Sequence, residues 1–233
     1  MTARRAAATL LVVLAGCTTT ARQHPEFAAR RARITTVAVM PPEVAFVRRV
    51  FKGDDEPLLA ETDATRASLP DLLGAELRRR GFTIKPALLD EAHFAADPEL
   101  RYQTTVIQSR FATAGGQLRP AAALTRADAA RVRVSLGSDV NRFADHAEVD
   151  ALVFSQVAGW KKSGGEVAKD LAMTLLLLGN VHYYLQAGGL QVALVDGTTG
   201  EVLWANATFV TDRDFTGGAL AGLVRRVFAG YPH

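Results

Sequence analysis

The sequence predicts one α/β domain of two or three layers, with a mixed sheet closed by a β-hairpin and followed by a C-terminal helix. Three observations carry this reading. Short β-branched runs (ITTVAVM, FTIKP, VDALVFSQVAGW) alternate with segments whose apolar residues recur at helical spacing. Near the C-terminus two apolar runs flank Asp196-Gly197-Thr198-Thr199-Gly200, a composition suited to a hairpin turn. Leu220, Leu223, Val224, Val227 and Phe228 then fall on one helical stripe.

Taken in order, Ile34 to Met40 is β-branched and stops at Pro41 and Pro42, which predicts a buried first strand. Glu43 to Asp63 contains RRVFKGDDE and reads as a long exposed loop. A helix is expected next, with Ser68 as N-cap, Pro70 in its first turn, and Leu69, Leu72, Leu73 and Leu77 on one face. Arg78 to Arg80 suit the negative end of its dipole and Gly81 a left-handed cap. Phe82 to Pro86 is the second strand. Asp97, Pro98 and Glu99 open another helix, with Leu100, Ile107 and Phe111 on its apolar face and Gly115-Gly116 at its end. Thr125 and Asp128 suggest a further cap, for a helix that runs past an interruption at Gly137 to about Ala147. Asp150 to Trp160 is the clearest strand. Glu166 to Leu178 is helical in pattern and ends in four leucines, Leu175, Leu176, Leu177 and Leu178. Leu185 to Val195 and Glu201 to Val210 are the hairpin strands, and Gly200 is expected at positive φ. Gly217 to Ala229 is the closing helix.

The formal charge of +3 rests on 27 Lys and Arg against 24 Asp and Glu. Two of the cations, Arg4 and Arg5, belong to an N-terminal segment that is expected to be removed, so net charge does not support nucleic-acid binding. The five histidines (His24, His93, His146, His182 and His233) are scattered, without the spacing of a helical zinc site. His146 and Asp150 are a candidate pair to share one side of a site. No phosphate loop, dinucleotide fingerprint or nucleophile elbow occurs, and no cofactor is expected.

The N-terminus supplies an address. Arg4 and Arg5 make a basic start, Ala6 to Leu14 a short apolar stretch, and Ala15 and Gly16 a small-residue end. That is the layout of a secretory signal peptide, too short to span a bilayer. Leu14-Ala15-Gly16-Cys17 resembles the lipobox of bacterial lipoproteins, and Cys17 is the only cysteine. The resemblance implies that residues 1–16 are cleaved, that the Cys17 thiol receives a diacylglycerol, and that the new amino group is often acylated too. Several acyl chains anchor a protein where one holds it only marginally. The alternative is a plain signal peptide with an incidental thiol. Residues 17–33 read as a tether between lipid and domain, and 34–233 as the domain itself. Thr18 follows the cysteine, in place of the Asp that resembles an inner-membrane retention signal, which implies the outer membrane; its periplasmic side is expected, with the cell surface as the alternative.

Four stretches together resemble small α/β envelope lipoproteins: VAVMPP (Val37 to Pro42), LRRRGFTI (Leu77 to Ile84), VDALVFSQV (Val149 to Val157) and LVDGTTGEVLW (Leu194 to Trp204). Similar patterns occur in the curli-secretion lipoprotein family, in lipoprotein activators of penicillin-binding proteins and in the first domain of the Tol-system propeller protein. The resemblance implies a non-catalytic binding or assembly module, held at the membrane by its lipid and partnered by an envelope protein or by further copies of itself. Two other expectations stand beside it: a hydrolase of cell-wall or lipid substrates, and a structural subunit of an oligomeric ring. Leu175 to Leu178 offer more apolar surface than one helical stripe needs and are the expected partner-binding residues.

Overall fold

The computed structural model describes residues 21–118, 133–177 and 184–232, with residues 171–177 described by their backbone alone. Its elements run β1 (Arg22–Gln23), α1 (Phe27–Arg31), β2 (Thr36–Val39), β3 (Glu43–Arg49), β4 (Glu56–Pro57), α2 (Leu59–Arg78), β5 (Thr83–Lys85), α3 (Glu91–Ala96), α4 (Pro98–Leu118), α5 (Val140–His146), β6 (Ala151–Lys162), α6 (Gly164–Leu177), β7 (Gln186–Asp196), β8 (Val202–Thr211), a 3-10 turn (Gly217–Ala219) and α7 (Leu220–Phe228). The strands form one mixed sheet in the order β1-β8-β7-β6-β2-β5, with β3 also on β6 and β4 on β3.

β6 organises the sheet. On one side it pairs antiparallel with β7 along nearly its whole length. On the other it pairs parallel with β2 at its start and with β3 at its end. Val39 stands opposite Val153 but Glu43 opposite Gln156, so the register slips by one residue across Met40-Pro41-Pro42. Prolines cannot donate to a ladder, which is why the slip falls there. Because side chains alternate between faces, one extra residue exchanges them: Ala38 and Met40 share a face with Ala45 and Val47.

Each face of the sheet carries a core, giving three layers. On one, α2, α7 and α1 bury Leu69, Leu73, Leu223, Val227 and Phe27 against Val37, Val153, Leu194 and Trp204. Trp204 stacks on Phe228, with ring centroids 5.3 Å apart. On the other, α4 and α5 bury Leu100, Ile107, Phe111 and Phe143 against Met40, Leu152, Phe154 and Val195. Phe215 is fully buried over Gly159 and Gly188, which face each other across β6 and β7. A Cβ on either glycine would lie 2.5 Å from its ring.

The hairpin turn follows from Asp196 and Gly200. Asp196 Oδ1 accepts from the amides of Thr198 and Thr199 at 2.9 and 3.0 Å. Gly200 has φ +70°, and a Cβ there would come within 2.0 Å of the Gly137 carbonyl oxygen.

Four expectations are corrected. The stretch from Glu43 is not a loop: it forms β3 and β4, because Val44 and Phe46 bury one face while Ala45 and Val47 take the other. The helix after it begins at Leu59 rather than Ser68, so Pro70 lies inside α2 and Ser68 Oγ donates back to the Ala64 carbonyl at 2.9 Å. α4 continues through Gly115 and Gly116 to Leu118. The residues read as a tether fold onto the domain from Arg22, where β1 pairs with β8, and Phe27 enters the core. The cap expected at Thr125 and Asp128 lies outside the described residues.

Asp150 ties β2 to β6. Its Oδ2 accepts from the amides and hydroxyls of Thr35 and Thr36 at 2.8–3.0 Å. Burial pushes its carboxyl up, but these donors outweigh it and hold it below the usual carboxylate range. The stability this gives is present above that range and lost as pH falls below it. Asp150→Asn is therefore expected to cost about 1 kcal/mol at neutral pH, with the deficit closing in acid, as read from melting temperature against pH. Gly188→Ala drives a methyl into Phe215 and is expected to cost about 1–3 kcal/mol in urea unfolding. Adding Phe215→Leu should cost less than it does in the parent chain.

Candidate functional site

The long strands outrun their helices. On the face packed by α4 and α5, Leu152, Phe154, Ala193 and Ala205 lie in the core. Farther along the same face the register sets out three rows. Glu43, Gln156, Gln191 and Ala207 stand side by side, then Ala45, Ala158, Gly189 and Phe209, then Val47, Trp160 and Ala187. Ala45 and Ala158 are exposed, and Phe209 is 66% exposed. All of these except Glu43, which stands at its edge beside Gln156, line a groove of about 660 Å³. Its floor is low because it is built of alanine and glycine, and Trp160, Val47 and Phe209 stand as walls. A Cβ at Gly189 would meet the Phe209 ring at 3.2 Å, so the glycine lets that ring lean across the floor.

The end nearest the helices is polar. Gln191 is only 5% exposed, and neither its amide oxygen nor its amide nitrogen has a hydrogen-bond partner. α4 closes over it, with Gly115 so near that a Cβ there would lie 3.1 Å from Gln191 Oε1. Beside it Gln156 Nε2 donates to Glu43 Oε2 at 3.2 Å. Burial pushes the Glu43 carboxyl up, and the Gln156 bond offsets only part of that. Buried amides left unpaired are costly, which makes such a group a natural ligand contact. The arrangement suits an apolar body ending in a neutral group that both donates and accepts. An anionic end would face Glu43.

A second concavity, of about 710 Å³, lies between α1, the end of α2 and the C-terminus. Its cations are committed to the fold. Arg31 donates to Tyr231 Oη at 3.0 Å, to Ile34 O at 2.8 Å and to Arg80 O at 3.0 Å. Arg80 donates to the Phe228 carbonyl and pairs with Glu76. Burial pushes the Glu76 carboxyl up, but Arg80 and Arg79 outweigh it and hold it below its usual range. Arg80 thus serves the packing of α2 against α7, while Arg79 pairs with Glu76 within α2.

The residues singled out from sequence fare differently. Cys17 and Leu178 lie outside the described residues, as do the side chains of Leu175, Leu176 and Leu177, whose backbone ends α6. His146 and Asp150 are spent separately: His146 lies edge-on to His93, with centroids 6.1 Å apart, and Asp150 holds β2. No group of metal-ligating side chains comes together among the described residues. Sequence reasoning misses the groove. Its signal is the change along β6 from Leu152 and Phe154 to Gln156 and Ala158, on a strand longer than its covering helices.

No protein-family model matches the chain, and no curated protein matches it. Among solved structures it is similar to a PelC dodecamer from Paraburkholderia phytofirmans, at 12% identity and a TM-score of 0.38 over 84% of this chain and 87% of that one. It is similar to the lipoprotein GNA1162 from Neisseria meningitidis, at 16% identity and a TM-score of 0.37 over 85% and 99%. It is also similar to the LpoB C-terminal domain from Salmonella enterica, at 13% identity and a TM-score of 0.28 over 76% and 82%. The alignments span most of each chain, while the TM-scores record backbones that diverge over much of that length.

Proposed function

We propose that this chain is a lipid-anchored, non-catalytic binding module of the bacterial envelope, held through Cys17 on the periplasmic side of the outer membrane, with the sheet groove as its recognition surface. One observation carries the reading: an apolar groove that ends on a buried amide with both polar atoms unpartnered. Such a surface binds by excluding water and by satisfying Gln191, and it needs no reacting group. The lipobox-like segment supports the address. No described helix is long and apolar enough to cross a membrane. The reading therefore gives the anchor to Cys17, which confines the groove to a thin layer above the bilayer and raises its effective concentration toward neighbours there.

Cys17→Ser is expected to move the protein out of the membrane fraction or leave its leader uncut. Mass spectrometry of the wild-type N-terminal peptide should show a diacylglyceryl cysteine. An unmodified cysteine, or recovery with inner-membrane vesicles, refutes the proposed address. Gln191→Leu removes the unpaired amide at nearly constant volume. It is expected to leave thermal stability unchanged or raise it by about 1 kcal/mol, while weakening capture of whatever fills the groove. A large loss of stability would make Gln191 a structural group.

A further inference from the structure

The groove and the start of the folded chain lie together. β1 runs antiparallel to β8, with Arg22 opposite Ala205 and Gln23 opposite Trp204. The chain therefore enters β1 from the side of Ala207 and Phe209, which are groove residues. Among the described residues no strand pairs with the outer edge of β8 beyond Ala205. Arg22 also reaches across to α4, donating to the carbonyl of Gln117, two residues from the Gly115 that presses on Gln191. The N-terminal stretch is thereby fastened at the polar end of the groove. Cys17 is five residues before Arg22, a reach of about 17 Å in extended chain.

Size and chemistry match as well. From the Gln156 row to the Trp160 row the groove runs four residues of strand, about 13 Å. An acyl chain spans half of a hydrocarbon core about 30 Å thick, or about 15 Å. The amide that joins an acyl chain to a cysteine amino group carries one N–H and one C=O, the complement of the two unpartnered atoms of Gln191. It is neutral, as the neighbouring Glu43 requires.

We infer that the groove is the seat of the protein's own anchor: the amide-linked acyl chain of Cys17 lies over Ala158 and Gly189 toward Trp160 and Phe209, with its amide on Gln191. The inference rests on the lipoprotein reading above and names the resident of that site.

The test uses the full chain in living cells. Cells are fed a palmitic acid analogue bearing a diazirine near its methyl end, irradiated, and the protein is purified and digested. Expected is an N-terminal peptide with lipidated Cys17, cross-linked through its acyl chain to the peptide holding Ala158 and Trp160 or to the one holding Phe209. Ala158→Trp, at an exposed position that fills the groove, should lose that cross-link while keeping the Cys17 lipid and an unchanged circular dichroism spectrum. Groove peptides carrying only phospholipid mass would assign the site to bilayer lipid and overturn the inference, as would a lipidated Cys17 joined to phospholipid alone. A cross-link between isotopically heavy and light chains would assign the groove to a second copy, with the same result. An unmodified Cys17 overturns the lipoprotein reading itself, and the inference falls with it.

Discussion

Everything in this fold is referred to β6. It pairs with β7 along one edge and with β2 and then β3 along the other, and both cores rest on it: Val153 and Val157 on one face, Leu152 and Phe154 on the other. A central strand buried on both sides must read as a nearly continuous apolar run, and Ala151 to Phe154 does. Beyond Gln156 the requirement relaxes on one face alone. Gly159 still has to accept Phe215 on the α2 side, while Ala158 and Trp160 face outward on the other. The groove is the place where the same strand stops being central to one layer while remaining central to the other.

The parts legible from sequence are those whose cause is local. β6, the hairpin and α7 follow from alternation, turn chemistry and a helical stripe; the strands lie within a residue or two of where those signals put them, and α7 starts three residues late, after a 3-10 turn. The errors share a different cause. β3 is hidden because its seven residues are charged at both ends and pair with the distal half of a strand more than a hundred residues away. Pro70 reads as a helix start because local propensity places it there, whereas α2 gains two more turns by packing Thr62 and Thr65 against the domain. β1 is two residues long, and only its partner β8 makes it a strand.

The groove is illegible for the same reason in stronger form. Its residues come from four strands, and none is unusual alone: among them are four alanines, two glycines, two glutamines, a valine and two aromatics. What distinguishes them is a common face beyond the part of the sheet that α4 and α5 cover, and that is a property of register. Gln191 shows the limit most sharply. In sequence it is an ordinary polar residue in an apolar strand; only the approach of Gly115 from α4 makes it a buried amide with nothing to bond. Cys17, in contrast, is conspicuous in the sequence because the resemblance that singles it out rests on a short linear motif and not on a fold.

The one-residue slip at Met40-Pro41-Pro42 acts as a phase inverter. Before the prolines the even-numbered residues Ala38 and Met40 lie on the side of the sheet that α4 packs; after them the odd-numbered Ala45 and Val47 lie on that side, in the groove. A connector one residue shorter would turn Val44 and Phe46 out to the groove and drive Ala45 and Val47 into the opposite core, with no change in the composition of the strand. The length of a three-residue joint, not the chemistry of β3 itself, thus decides whether this edge of the sheet presents small side chains or large ones to whatever lies upon it. Lineages that lengthen or shorten the joint would acquire a differently shaped surface in one step, on an unaltered scaffold.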